Sequence, residues 1–341
     1  MPRKTIESPA SLDPIHDLIY RNSKALVLKL ALEMDLFTAF DDEPRTSEEL
    51  STVLQCEEKG IQATADALTA MGFLTKHDSK YQLAPTTAAF LVKGSPSYYG
   101  DSYLDAVLPW AWQTDDIAAN AIRGGDGIGK SIIDDDSVAM WKGWCETRYI
   151  SRETHAADAR ENWGLILEQH TVPEGAHLVD VACGNAFFTF TYLQNHPHAS
   201  TVAIDRAPEV LEVTRKTSRW FDVFDRTQFV AADVRNVPTK PHAFDLAYIG
   251  GIMYILSAEE IDSTLKNVHR ALKPGGLIVL ETMIADGEHQ ESEAELIQTF
   301  RRLLYNGGRV PTFDEYADHL TTVGFADAKR LSHTIVVAHR K

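Results

Sequence analysis

The run Leu178-Val-Asp-Val-Ala-Cys-Gly184-Asn-Ala-Phe187 joins a short apolar strand to a helix through a turn that holds one glycine. Val179 and Val181 are residues of a buried strand, the chain breaks at Gly184, and Phe187-Phe-Thr-Phe-Thr-Tyr-Leu193 opens a helix. Two blocks of the same kind follow, Val202-Ala-Ile-Asp205 and Phe229-Val-Ala-Ala-Asp-Val234. Each places an acidic residue where its strand ends. In a doubly wound α/β sheet, ligands bind at those strand ends. A dinucleotide fold would need G-x-G-x-x-G, so that the pyrophosphate can lie on the helix N-terminus. From Ala182 the chain reads A-C-G-N-A-F, which lacks that cradle.

A nucleoside ligand without phosphates fits this pattern, and S-adenosylmethionine (SAM) is such a ligand. Asp205 stands about twenty residues beyond the turn, where a carboxylate binds ribose hydroxyls, and Asp233 is a natural partner for an adenine amino group. Asp180, Gly184 and Val234 complete the expected cofactor contacts with Gly250, which follows the strand Phe244 to Ile249 and leaves room for the methionine end.

From about Ser137 onward the chain resembles the class I SAM-dependent methyltransferases, in particular the O-methyltransferase-like group with an N-terminal dimerisation domain. Further motifs carry the likeness: Asp225-Arg-Thr-Gln-Phe229, Arg270-Ala-Leu-Lys-Pro-Gly-Gly-Leu-Ile-Val-Leu-Glu281, Val310-Pro-Thr-Phe-Asp-Glu-Tyr316 and Val323-Gly-Phe325. The Lys-Pro-Gly-Gly turn into a strand is the most specific of them. The resemblance implies a Rossmann-like seven-stranded SAM-binding sheet behind a mainly α winged-helix dimerisation domain. It also implies S-adenosylhomocysteine as product and a homodimer. The chain departs from the group at 182 and 186, where the usual glycines are alanine, so the turn is narrowed by two methyl groups.

The N-terminal part reads as helical. Apolar residues at helical spacing run from Pro14 to Phe40, Ser47 opens a capped short helix, and a third helix runs from Glu57 to Met71 and stops at Gly72. Leu74 to Leu83 reads as a hairpin around Asp78-Ser79. Three helices and a wing are a DNA-binding shape. Yet the helix that would enter the groove carries Glu57, Glu58, Lys59 and Asp66, where a reading helix needs basic residues. A net charge of −16 also argues against nucleic acid and anionic membranes. The expected organisation is 1–97 winged-helix dimerisation domain, 98–170 helical connector and acceptor lid, and 171–341 catalytic domain.

Among 341 residues there are three cysteines, too few for a disulfide framework, and no metal-ligand spacing. No leader and no bilayer-length apolar run is apparent, so a cytoplasmic setting is expected.

The resemblance also identifies what is missing. In the related O-methyltransferases a His-Asp pair after the fourth strand supplies the base, and matching Leu256-Ser-Ala-Glu-Glu260 to the segment after that pair puts Tyr254 and Ile255 in its place. A phenol titrating near ~10 is a poor base at neutral pH. Tyr254 is therefore the expected catalytic residue, orienting the acceptor or donating a hydrogen bond to it, and a similar Tyr marks the bacteriochlorophyll C-methyltransferase branch. Trp144, Arg148, Tyr149, Arg152, Tyr254 and Tyr305 are the expected acceptor contacts, with the two arginines either gripping a carboxylate or forming a surface ladder with Glu146, Glu153 or Asp158. An absent base favours S-methylation of a carboxylated thioether such as 4-methylthio-2-hydroxybutyrate, of the dimethylsulfoniopropionate pathway. The alternative is C- or O-methylation of an ionisable aromatic or 2-oxo acid. Readings of another class are a SAM-binding enzyme that transfers no methyl and a winged-helix regulator.

Overall fold

The computed structural model describes residues 12–104, 122–123, 137–236, 239–285, 297, 300 and 311–341. It divides into two compact units, Met1–Pro109 and Trp110–Lys341.

In the first unit, α1 (Asp13–Glu33) has proline in its first turn. The strand β1 (Arg45–Thr46) leads into α2 (Ser47–Leu54), where Thr46 and Glu49 form a reciprocal capping box. Next come α3 (Glu58–Ala70), the hairpin β2 (Leu74–His77) and β3 (Lys80–Leu83), and α4 (Pro85–Phe90). The sheet order is β1-β3-β2, so the expected wing gains a third short strand. Leu32, Leu36, Phe37, Phe40, Leu50, Ile61, Leu68 and Tyr81 fill the core.

The second unit begins, among the described helices longer than one turn, with α5 (Val138–Ile150) and α6 (Arg152–Leu167). The sheet and its covering helices follow: β4 (His177–Val181), α7 (Phe187–Asn195), β5 (Ser200–Asp205), α8 (Pro208–Trp220), β6 (Thr227–Ala231) and β7 (Phe244–Gly250). The chain continues through α9 (Ala258–Ala271), β8 (Leu272–Glu281), α10 (Phe313–Val323), β9 (Phe325–Arg330) and β10 (Ile335–Arg340). The seven strands lie in the order β6-β5-β4-β7-β8-β10-β9. The first five run parallel and β10 is antiparallel to both its neighbours.

Strand alternation sorts the core onto two faces. Val179, Val181, Ile204, Ile249 and Leu280 face α9 and α10, while Leu178, Ala203, Leu246, Tyr248 and Val279 face the aromatic side with Phe187, Phe188 and Trp163. The order reverses between β4 and β7, and that reversal opens the crevice in which a ligand of such a sheet binds.

Candidate active site

The turn after β4 is the floor of the site. Ala182, Gly184 and Ala186 all adopt left-handed backbone, with φ of 57°, 49° and 55°. The first and third are the two positions where the related group has glycine, and the alanines take the glycine conformation under strain. The turn is tied in from several sides. The Gly184 N–H donates to Asp205 Oδ2 at 3.1 Å, Thr214 donates to the Gly184 carbonyl, and Asn185 Nδ2 donates to the Cys145 carbonyl of α5 at 2.9 Å.

Two cavities open above this turn. One, of about 340 Å³, is walled by Trp141, Trp144, Asp205, Arg206, Asp233, Val234 and Arg235. The other, of about 400 Å³, is walled by His155, Phe187, Phe188, Tyr248, Glu281 and Thr282. Arg148, Ala182, Gly250, Gly251, Tyr254 and Met283 belong to both walls, so the cavities meet there. Each has the volume range of a small-molecule pocket.

Asp205 ends β5, with Oδ1 accepting from the Ala207 N–H at 3.1 Å and Oδ2 from Gly184. Burial pushes its carboxyl up, and the backbone donors work against that shift. Asp233 lies beyond β6 and is gripped by Arg235, whose Nε donates to Oδ1 at 2.8 Å and Nη2 to Oδ2 at 2.6 Å. That fork holds the Asp233 carboxyl below its ordinary range. Two carboxylates along one wall, a backbone-lined turn and a second chamber opening from it fit an adenosyl sulfonium.

Gly250 has a reason beyond making room. A Cβ there would meet Tyr248 Oη at 2.5 Å and its ring carbons at 2.8 Å. The Tyr248 ring stacks on Phe188, centroids 4.0 Å apart, and its hydroxyl donates to Glu281 Oε2. Burial and the neighbouring Glu281 push the Tyr248 phenol well up.

The structure brings Asp205, Asp233, Val234, Gly250, Trp144, Arg148 and Tyr254 into the cavity walls. Other expected residues fall elsewhere. Asp180 alternates onto the aromatic face and lies fully buried beneath the turn, accepting from Thr189 Oγ1 at 2.6 Å. Burial drives its carboxyl up to about 8. Gly184 acts through Asp205 and does not face either cavity. Tyr149 packs with Cys145, Val210 and Val213. Arg152 is held against the Tyr149 and Trp220 rings and donates to the Tyr149 carbonyl, so it makes no carboxylate grip with Arg148. Tyr305 lies outside the described residues, as do Trp110, Trp112, Asn306 and Arg309. His155, Arg206 and Arg235 are cavity residues that motif reading missed. The acidic residue two places before Arg235 was the available signal for that one.

A parallel sheet with carboxylates and a glycine-bearing turn at its switch point defines an α/β enzyme of the nucleoside-binding kind. A methyltransferase domain model matches residues 178–276 and an O-methyltransferase dimerisation domain model matches residues 17–93. The tetracenomycin polyketide synthesis 8-O-methyl transferase TcmO of Streptomyces glaucescens is 24% identical over 92% of this chain and 90% of its own length. The L-tyrosine C(3)-methyltransferase of Streptomyces lavendulae is 20% identical over 94% of this chain and 88% of its own. The fold matches human N-acetylserotonin methyltransferase in complex with SAM, at a TM-score of 0.78 and 16% identity, covering 98% and 99% of the two chains. The chain belongs to the class I SAM-dependent methyltransferases, with a methyltransferase domain joined to an O-methyltransferase dimerisation domain. S-adenosylmethionine is its cofactor.

Proposed function

We propose that the enzyme methylates an oxygen or carbon of a small hydroxylated aromatic or enolisable acceptor held in the chamber beside Tyr254. The first cavity would hold the cofactor, which supplies an electrophilic methyl group when bound. Asp205 would accept from the ribose hydroxyls, and Asp233, steadied by Arg235, from the adenine amino group, with Val234 lining the same cavity. Gly250 and Ala182 border both cavities, where the methyl group would be passed to the acceptor. Phe187 and Phe188 offer flat apolar surface, and Arg148 polarises an acceptor oxygen.

The junction of the two cavities at Ala182, Gly250 and Tyr254 supports this reading, because a nucleoside in one cavity and an acceptor in the other would have to meet across such shared wall residues. The named relatives act on oxygen and carbon, and the expected pair of arginines for a thioether acid is not assembled. Both observations favour the oxygen or carbon acceptor over S-methylation. The test is S-adenosylhomocysteine release by the purified protein with hydroxylated aromatics, 2-oxo acids and thioether acids, with products read by mass spectrometry. Methyl on oxygen or carbon is expected; sulfonium product alone would overturn the assignment.

The first unit is read as the contact between two copies in a homodimer. Its α1 exposes Ile15, Leu18, Ile19, Leu26 and Leu30, an apolar series that a lone chain leaves in water.

A further inference from the structure

Among the described residues three arginines border the two cavities, and two of them have oxygens to bind. Arg206 donates to Ser137 Oγ at 3.3 Å, and Arg235 reaches Asp233 and Glu260. Arg148 forms no hydrogen bond and no ion pair, and its contact is with a ring. The acids around it are spoken for or do not reach it. Glu146 of its own helix pairs with Lys142 at 3.7 Å, and Asp205 accepts from the Gly184 and Ala207 N–H groups. Glu281 Oε2 accepts the Tyr248 hydroxyl, and Asp158 shares the second wall without pairing with the guanidinium.

Aromatic packing holds the arginine in place. Its guanidinium carbon lies over the Trp144 ring, 5.1 Å from the centroid, and Trp144 is braced edge-on by Trp141 with centroids 5.5 Å apart. Trp141, Trp144 and Arg148 follow at three and four residues along α5 and so share one face of it. A cation–π contact attracts the charge but offers no lone pair, so the five N–H donors keep no oxygen partner. The charge also stands where the cavities meet. Arg148 belongs to both walls, and it draws down the Cys145 thiol of the first and the Tyr248 phenol of the second, each against the upward push of burial. No other arginine or lysine lines the second cavity among the described residues.

We propose that Arg148 is a carboxylate-binding residue at the junction of the two cavities, offering its planar fork to the ligand that lies there. This deepens the reading above and rests on its assignment of cofactor and acceptor to those cavities. A carboxylate fits the fork with two parallel N–H···O bonds, which fix direction as well as distance. Two ligands bring one to this place: the cofactor at its methionine end, and an acceptor that is itself an acid, such as a hydroxylated aromatic acid or a 2-oxo acid. In both cases Arg148 positions a reactant and handles no proton. It acts without Arg152, whose guanidinium is held by the Tyr149 and Trp220 rings.

Calorimetric titrations of wild type, Arg148→Met and Arg148→Lys test this. The first pair of probes is S-adenosylhomocysteine and its analogue lacking the carboxylate. The second pair, added to protein saturated with S-adenosylhomocysteine, is protocatechuic acid and its primary amide. Wild type is expected to prefer the carboxylate member of at least one pair. Arg148→Met should lose affinity for that member by about 10–100-fold, the range of hydrogen bonds to a charged group, while the other member changes by less than about 3-fold. Arg148→Lys keeps the charge without the fork and should recover part of the loss. A loss confined to S-adenosylhomocysteine puts the carboxylate on the cofactor, and a loss confined to protocatechuic acid puts it on the acceptor. Wild type indifferent to the carboxylate in both pairs, or equal losses for both members of each pair in Arg148→Met, would leave Arg148 as a packing partner of Trp144 and overturn the proposal. Failure of methyl transfer to oxygen or carbon, with the carboxylate preference intact, would bring down the acceptor reading alone.

Discussion

Asp180 shows how one residue can carry both a sequence signal and a different physical role. Its place in the strand-end motif suggests a cofactor contact, but strand alternation sends the side chain into the aromatic face, where Thr189 is its donor and Oδ1 is buried with no partner among the described residues. Removal from water favours the neutral carboxyl, and Asp205 and Glu281 add to the shift. An unfolded chain loses this proton near 3.8, whereas the folded protein keeps it up to about 8. Between those values the unfolded state binds fewer protons, so stability falls as pH rises, by up to about 1.4 kcal/mol per pH unit. Thermal unfolding across that window should show wild type losing Tm with rising pH more steeply than Asp180→Asn, whose amide keeps an acceptor for Thr189. Parallel profiles would show that the carboxyl is already ionised in the fold.

At the scale of elements, the turn between β4 and α7 trades stability against the shape of the cavity junction. Ala182 holds a left-handed φ of 57° and its residue borders both cavities. The left-handed backbone costs a residue with a Cβ ~1–2 kcal/mol, and glycine would return ~0.4–1 kcal/mol of that through its looser unfolded chain. Ala182→Gly is therefore expected to stabilise by about 0.5–1 kcal/mol in denaturant unfolding, and a loss of stability would mean that the methyl packs better than the backbone suffers. Elements that signal themselves locally were readable from sequence: the capped helix opening at Ser47, whose cap in the structure is Thr46, the stop at Gly72 with its φ of 83°, and the strand end at Asp205. What escaped has no local signal. Arg45–Thr46 is too short for any periodicity, and it is a strand only because β3 pairs with it. His155 neighbours the buried stripe Ala156, Ala159, Trp163 and Ile166 of its helix without belonging to it, and it meets the chamber only because α6 packs on α7. Arg152 shared its sequence spacing with Arg148, yet the Trp220 ring from α8 takes its guanidinium.

For the whole molecule, the two units show contrasting surfaces. The sheet of the second unit is covered by helices on both faces and its inner strands β4, β5, β7 and β10 are mostly buried. In the first unit α1 buries only Ala31 and Leu32, and leaves Leu18 68% and Ile19 57% exposed. A helix of 21 residues with no buried stripe over most of its length gains little from its own fold. The missing burial has to come from another surface, and a second copy presents the same apolar series to itself, as two-fold interfaces require. With a net charge of −16 the chains repel at long range, so association depends on apolar contact and should strengthen as salt rises. Wild type is expected to sediment at twice the chain mass. Leu18→Glu with Ile19→Glu should shift it to a single chain, since four buried carboxylates without partners, two from each copy, cost several kcal/mol per interface. The same double substitution should leave α2, α3 and the hairpin folded, because the core beneath them is built from Leu36, Phe37, Phe40, Leu50, Ile61 and Tyr81. A wild-type chain that sediments as a monomer at micromolar concentration, or a double variant that stays dimeric, would place the contact on another surface.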